Sequence, residues 1–315
     1  MPTVKKKNPS GGNRDGAIKS HSPQSTSIIL AEQDVIADFM QALNQAGLFT
    51  KGEIIADGKL HRFHVEGDKR GSQNGWYILF LDGGFAFGCF GSWKTGDTVK
   101  WCAKPDRELT QVQRKQNRIR MIEAQKARKI EEEKRRKSAQ EKAQLIWKSV
   151  PQAPDTHPYL VKKGVKNHGL GLYKGLLVVP MRDSIGNLHS LQFIDCDGNK
   201  RFLSGGLKKG CYFAIGSPAD SLCIAEGYAT AATLYQATNL PVAVAFDAGN
   251  LMPVAQSLRT KFPYIKIIIC ADNDANTPCN PGLTKAREAA ASVDAFLAVP
   301  PCNGDFNDLF VGGAL

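Results

Sequence analysis

The chain has 315 residues, 42% of them hydrophobic, a formal net charge of +11 and eight cysteines. That length allows two or three domains with real cores, and no apolar run approaches the roughly 20 residues needed to cross a bilayer as a helix. The cysteines at 89, 102, 196, 211, 223, 270, 279 and 302 have no C-x-x-C spacing and no finger-like histidine partner, which argues against structural zinc and for a reducing, cytoplasmic compartment.

Residues 1–27, beginning "MPTVKKKNPSGGNRDG", are basic and rich in Gly and Ser with no apolar region behind them. They are expected to form a disordered basic tail rather than a secretory signal. "SIILAEQDVIADFMQALNQAGLFT" then places Val35, Ile36, Phe39, Met40 and Leu43 at helical spacing and stops at Gly47. "GWYILFLDGGFAFGCFGSWKTG" reads as strands broken by glycines, so 28–103 is expected to be a small α+β domain. Its aromatics are read as core, because strands favour them for packing alone.

Between 104 and 148 there are fifteen Lys/Arg against seven Asp/Glu. The stretch from Arg114 to Trp147 lacks Gly and Pro and holds no heptad, so 104–150 is expected to be a basic helical linker. It reads either as a solvated spacer supported by intrahelical ion pairs or as a helix whose Arg135, Arg136 and Lys137 touch nucleic-acid phosphates. The two readings are compatible.

Residues 151–218 carry hairpin punctuation at "DSIGN" and "DCDGNK" between apolar runs, which predicts about four short antiparallel strands. Lys200, Arg201, Lys208 and Lys209 fall at the turns and strand ends of this basic subdomain. From 219 to 315 the pattern becomes βαβαβαβ with fully apolar strands, "SLCIAEG", "PVAVAFD", "YIKIIICAD" and "AFLAVP". Such a pattern predicts a Rossmann-like parallel sheet with helices on both faces, and ligands in such sheets bind beyond the carboxyl ends of the strands.

Acids fall at those ends: Glu226 after the first strand, Asp247 after the second, Asp272 and Asp274 after the third, Asp305 and Asp308 past the fourth. Six carboxylates on one edge need compensation, and hard divalent cations with oxygen ligands supply it. Glu226, Asp272 and Asp274 together are read as a site for Mg²⁺ or Mn²⁺, whereas Asp247 and Asp305 taken singly are read as strand-end acids that cap helices or sit in water. A D-x-D after an apolar strand also marks aspartyl phosphohydrolases, but those continue to Thr or Val where this chain has Asn276.

"EGYATA" followed two strand-helix units later by "CADNDAN" resembles the Toprim domain of DnaG-type primases, topoisomerases and some nucleases. "HPYLVKKGV", "LLVVPMRDSIGNLHSLQFIDCDGNKRFLSGG" and "KKGCYFAIG" are similar to the segment preceding that domain in phage- and plasmid-encoded primases, so the resemblance covers about 150–310. It implies a DNA-directed RNA polymerase that makes short RNA primers on single-stranded DNA from nucleoside triphosphates, a nucleotidyltransferase serving replication of a mobile element. Glu226 would act on metal or as acid/base, Asp272 and Asp274 would bind the divalent ions, and Asp305 and Asp308 in "DFND" would form a further acidic motif that also binds metal. Arg182, Lys200 and Arg201, with Lys208 and Lys209, would approach template or incoming nucleotide.

Two departures stand out. Replicative primases often carry an Asp where this chain has Thr230, and 28–103 lacks the cysteines of their zinc ribbon. No G-x-x-x-x-G-K-[ST] occurs in the chain, so unwinding is expected from a separate replicative helicase. Two alternatives stay open: a non-catalytic single-strand-DNA-binding accessory protein, and a Toprim nuclease.

Overall fold

The computed structural model describes residues 23–82, 85–103, 109–273, 275, 277 and 280–312. The expected tail therefore lies outside the described residues up to position 22, and 23–27 open a helix. The chain divides into two compact units, Met1–Ile130 and Glu131–Leu315, and the division falls inside one long helix.

In the first unit, α1 (Pro23–Gln45) begins on a proline, whose missing N–H costs nothing at a helix start. Strands β1 (His61–Phe63), β2 (Gly75–Asp82), β3 (Phe85–Ser92) and β4 (Thr98–Cys102) form an antiparallel sheet in chain order. Alternate residues of β2 serve opposite faces. Tyr77 and Leu79 pack with Phe39 and Leu43 of α1, while Trp76 and Ile78 pack with Cys89 and with Ala124 of α2 (Gln111–Ser149). A sheet covered on both faces needs apolar residues throughout, which is why "WYILF" shows no polar alternation. Two arginines of the basic helix complete this packing: Arg128 lies 5.0 Å from the Trp76 ring and 5.7 Å from Trp93, and Arg120 lies 5.7 Å from Phe80 and 5.8 Å from Phe87. Each such contact contributes about 0.5–2 kcal/mol.

The long helix is more than a spacer. Ala124, Ala139 and Ala143 are buried along it, and in the second unit Ala143 packs with Val178, Leu191 and Phe193. Small side chains let its backbone approach a sheet closely, while Lys126, Lys134 and Lys142 stay exposed. An expected ion pair is present between Glu132 and Arg136, one turn apart.

The second unit opens with α3 (Pro158–Lys163) and an antiparallel sheet of β5 (Gly171–Tyr173), β6 (Leu176–Arg182), β7 (Leu188–Ile194) and β8 (Lys200–Phe202), again in chain order. Both its D-x-x-G-N turns are built alike. Asp183 accepts from the Asn187 N–H and Asp195 from the Asn199 N–H, each at 2.8 Å, and glycines at φ +95° and +96° complete the reversals.

Four strands of the second sheet are parallel, as the pattern predicts: β13 (Phe296–Ala298), β12 (Lys266–Cys270), β10 (Ser221–Ala225) and β11 (Val242–Val244), in that spatial order. A fifth, β9 (Phe213–Ile215), runs antiparallel to β11. Its "FAI" was expected in the preceding subdomain. It covers what would otherwise be an open sheet edge. Helix α4 (Tyr228–Thr238) joins the core on one face, with α7 (Phe306–Val311) against it, while α5 (Ala248–Lys261) and α6 (Pro281–Ser292) join the core on the other.

The boundary expected between 218 and 219 is crossed by one core. Leu177, Val179 and Met181 of β6 share it with Cys223 and Ala225 of β10, Val244 of β11 and Ala231 of α4. Arg182 and Tyr212 exchange backbone hydrogen bonds of 3.0 and 2.8 Å, tying the two sheets together.

The buried stripe of α2 gives a direct test. Ala143→Asp should destabilise the protein by more than about 2 kcal/mol, since it buries a charge, while Lys142→Asp on the exposed side should stay within about 0.5 kcal/mol. Chemical denaturation of the two variants compares them, and equal midpoints would mean the helix does not need this contact.

Candidate metal and phosphate site at the sheet edge

Three strands of the parallel sheet finish level. Ala225 of β10 is in register with Val244 of β11 and with Cys270 of β12, at the ~4.8 Å spacing of neighbouring strands. The residues that follow therefore emerge at one edge, and each strand end is built differently.

After β10 come Glu226 and Gly227, both half-buried, and Gly227 starts α4. A Cβ added at Gly227 would stand 3.4 Å from the Lys200 Nζ and 3.6 Å from the Thr230 Oγ1. The ammonium of Lys200, on β8 of the preceding sheet, thus lies against the turn that carries Glu226.

After β11, Phe246 adopts φ +75°, a left-handed conformation that costs a bulky residue about 1–3 kcal/mol. Asp247 then caps α5 by accepting from the Asn250 N–H at 3.0 Å, and its other oxygen pairs with Lys208. Lys208 also lies 5.3 Å from the Phe202 ring. The buried Asn250 ties its loop down, accepting from the Gly210 N–H at 2.8 Å and donating to the Cys211 and Ala245 carbonyls at 3.0 and 2.8 Å.

After β12, Asp272 is half-buried, and Asn273 braces the turn. Its backbone exchanges 2.9 Å hydrogen bonds with Gly304, and its amide donates to the carbonyls of Pro300 and Cys302 at 3.3 and 3.0 Å. Asp274 lies outside the described residues. Behind this edge, the hydrogen bond with Cys223 and burial raise the Cys270 thiol well above its ordinary range, so it stays protonated at neutral pH.

Past β13, Asp305 and Asp308 form a capping box on α7. Asp305 accepts from the N–H groups of Asn307 and Asp308 at 2.7 and 2.9 Å and from the Thr230 hydroxyl at 2.8 Å. Asp308 accepts from the Asp305 N–H at 3.2 Å and from Lys163 at 3.3 Å. Both were expected near metal; here their oxygens hold a helix start. Thr230 serves that same cap. Burial, with Asp305 adding to it, pushes the Tyr159 phenol up to about 12.

Among the described residues, no three His, Cys, Asp or Glu side chains stand together as a metal-binding set. The expected set includes Asp274, so Glu226 and Asp272 are the two of its members that can be placed. Their chemistry fits a hard divalent cation: carboxylate oxygens, half-buried, following two adjacent strands whose ends are level.

The basic candidates separate into groups. Lys200 and Lys208 reach the acidic edge. Arg182 donates to the Gly186 carbonyl at 3.0 Å inside its hairpin, Arg201 lies 5.9 Å from the Phe193 ring, and Lys209 is exposed. Arg135 flanks the loop after β8, where a Cβ at Gly205 would meet its carbonyl oxygen at 3.5 Å, Arg136 pairs with Glu132, and Lys137 is exposed. Sequence reading missed Lys163 and Asn250. The first belongs to a helix 145 residues away from its partner, while an Asn three places after a capping Asp was a local signal for the second.

Residues 221–314 match the family model of the Toprim domain. Two relatives from Escherichia coli, both described as "DNA primase TraC", are 34% identical to the chain, each alignment taking in 81% of it. The chain spans only 25% and 19% of those two proteins. The primase fragment of the bacteriophage T7 primase-helicase protein aligns with 50% of this chain and 70% of its own, at 20% identity and a TM-score of 0.40.

The cap reading of Asp305 is open to test. Asp305→Ala should cost about 1–2 kcal/mol of stability, because it leaves α7 uncapped and Thr230 without its acceptor, whereas Asp305→Asn should cost less than half as much. Equal losses in denaturant melts of the two variants would contradict it.

Proposed function

From the premise that residues 221–314 are a Toprim domain, we propose that the chain is a DNA primase, a DNA-directed RNA polymerase that joins nucleoside triphosphates into short RNA primers on single-stranded DNA. The observation that carries this reading is the level sheet edge. Glu226 and Asp272 follow adjacent strands there, and Lys200 of β8 and Lys208 of the loop between β8 and β9 border it.

In the reaction, the 3′-hydroxyl oxygen of the growing primer bonds to the α-phosphorus of the next nucleotide, pyrophosphate leaves, and the hydroxyl proton passes to solvent. Glu226, Asp272 and Asp274 are the residues proposed to hold Mg²⁺ or Mn²⁺, with Asp305 and Asp308 as outer acids on the same side of the sheet. Bound there, the cation would polarise the hydroxyl and neutralise charge on the leaving phosphates. The protein's own share is positioning. Arg182, Lys200, Arg201, Lys208 and Lys209 draw the phosphates of template and nucleotide toward the acids. Arg135, Arg136 and Lys137 extend the same positive surface along α2. If about 5 template phosphates are neutralised, log affinity should fall against log salt with a slope of about −3.5. Unwinding is assigned to a separate replicative helicase, and the reading carries with it a cytoplasmic location. No helix among the described residues is long and apolar enough to cross a membrane.

The test is a priming assay with single-stranded DNA, ribonucleotides and Mg²⁺ or Mn²⁺. Short oligoribonucleotides should form, and Glu226→Gln or Asp272→Ala should reduce them by about 10²-fold or more, as the loss of a metal-binding carboxylate does. Template cleavage in place of primers, or binding with no product under either metal, would overturn the reading.

A further inference from the structure

Asp247 stands outside the metal-binding acids, yet it holds a lysine assigned to substrate. We propose that Asp247 is an internal counter-ion and positioning residue for Lys208, and that a phosphate of the substrate takes its place on that lysine. The inference rests on the primase reading for which phosphate this is, though not for the ion pair itself.

Four observations support it. First, one Asp247 oxygen is fixed by the cap of α5, so the other is presented to Lys208 in a set direction. A cap needs only an acceptor, which Asn or Ser supplies equally well, so the capping hydrogen bond itself does not need the full charge of Asp247. Second, the loop carrying Lys208 is anchored separately. The side chain of Asn250, itself 2% exposed, bonds to Gly210, Cys211 and Ala245. Lys208 can therefore change partner while its backbone stays docked. Third, the pair is open to water, with side chains 42% and 32% exposed. A solvated lysine–carboxylate pair is worth little, so giving up Asp247 for a charge-assisted contact to a substrate phosphate costs little. Fourth, the residue that turns the chain into Asp247 is Phe246 at φ +75°, and strain of this kind collects where a direction matters.

The phosphate is either the triphosphate of an incoming nucleotide or the phosphodiester of the template. Both share the chemistry Lys208 recognises, and Lys200 against the Glu226 turn shows that a second cation already points to the same edge. While substrate is absent, Asp247 keeps Lys208 extended over the end of β11. When phosphate arrives, the lysine is already at the height of the acids.

The experiment uses the full chain, Asp247→Asn, Asp247→Ser, Lys208→Met and the Asp247→Asn/Lys208→Met double variant. Binding of a labelled oligothymidylate and of ATP is measured separately in EDTA, and primer synthesis is then measured with Mn²⁺. Both Asp247 variants keep an α5 cap. They should bind one of the two ligands about three- to ten-fold more tightly, because a competing anion is gone. A gain for the oligonucleotide assigns Lys208 to template, and a gain for ATP assigns it to the nucleotide. The gain should vanish in the double variant. In primer synthesis, KM should fall while kcat drops by about ten-fold, a split that mere loss of structure would not produce. Unchanged binding of both ligands, or the same gain with Lys208 already removed, would overturn the proposal. A wild-type chain that makes no primers, but still shows the Lys208-dependent gain, would overturn the primase reading and leave the counter-ion pair standing.

Discussion

Carboxylates gathered at one edge of a parallel sheet repel one another. At ~4 Å and an effective dielectric near 20, each close pair costs about 4 kcal/mol. A chain that places an acid just past three neighbouring parallel strands, β12, β10 and β11, must bring cations to that edge, and this one brings them from residues before the sheet begins. Lys200 reaches the turn of Glu226, Lys208 pairs with Asp247, and Lys163 pairs with Asp308. The segment before the parallel sheet, through α3, β8 and the loop after β8, is thus electrostatic support for that sheet as well as its neighbour. The core that runs from β6 into β10 and α4 is what holds those lysines in reach.

Much of this organisation was legible in the chain. Four apolar strands alternating with helices gave the parallel order, and Glu226, Asp247 and Asp272 fell at strand ends because the apolar runs stop directly before them, while Asp305 lies further past the fourth run. The paired D-x-x-G-N turns gave the hairpins. What local pattern could not give was which sheet a short strand joins. "FAI" has the same composition whichever edge receives it, and β9 is assigned only by its long-range pairing with β11. The basic helix hid its role for a similar reason. Alanines carry little hydrophobic signal, so the stripe of Ala124, Ala139 and Ala143 reads as solvated until the sheets that cover it are known.

The acids themselves divide by use, and spacing alone does not divide them. Asp305 and Asp308 fit an acidic motif as well as they fit a capping box, since both need oxygen acceptors three residues apart. Thr230 favours the cap, because its hydroxyl donates to Asp305 and supplies no further charge. Asp247, read as a helix cap or a solvated acid, caps α5 with one oxygen while Lys208 engages the other. Polar side chains with two acceptor atoms can serve structure with one and function with the other, and only the positions of their partners reveal the division.

Central to this account is that Glu226 and Asp272 belong to one divalent-metal site at the level ends of β10 and β12. Crystals of the protein soaked in millimolar Mn²⁺, measured for anomalous scattering, test it most directly. The account predicts a manganese peak bounded by these two side chains that disappears in the Glu226→Gln/Asp272→Ala variant. Well-ordered crystals with no manganese at that edge, or with manganese bound only elsewhere, would contradict it.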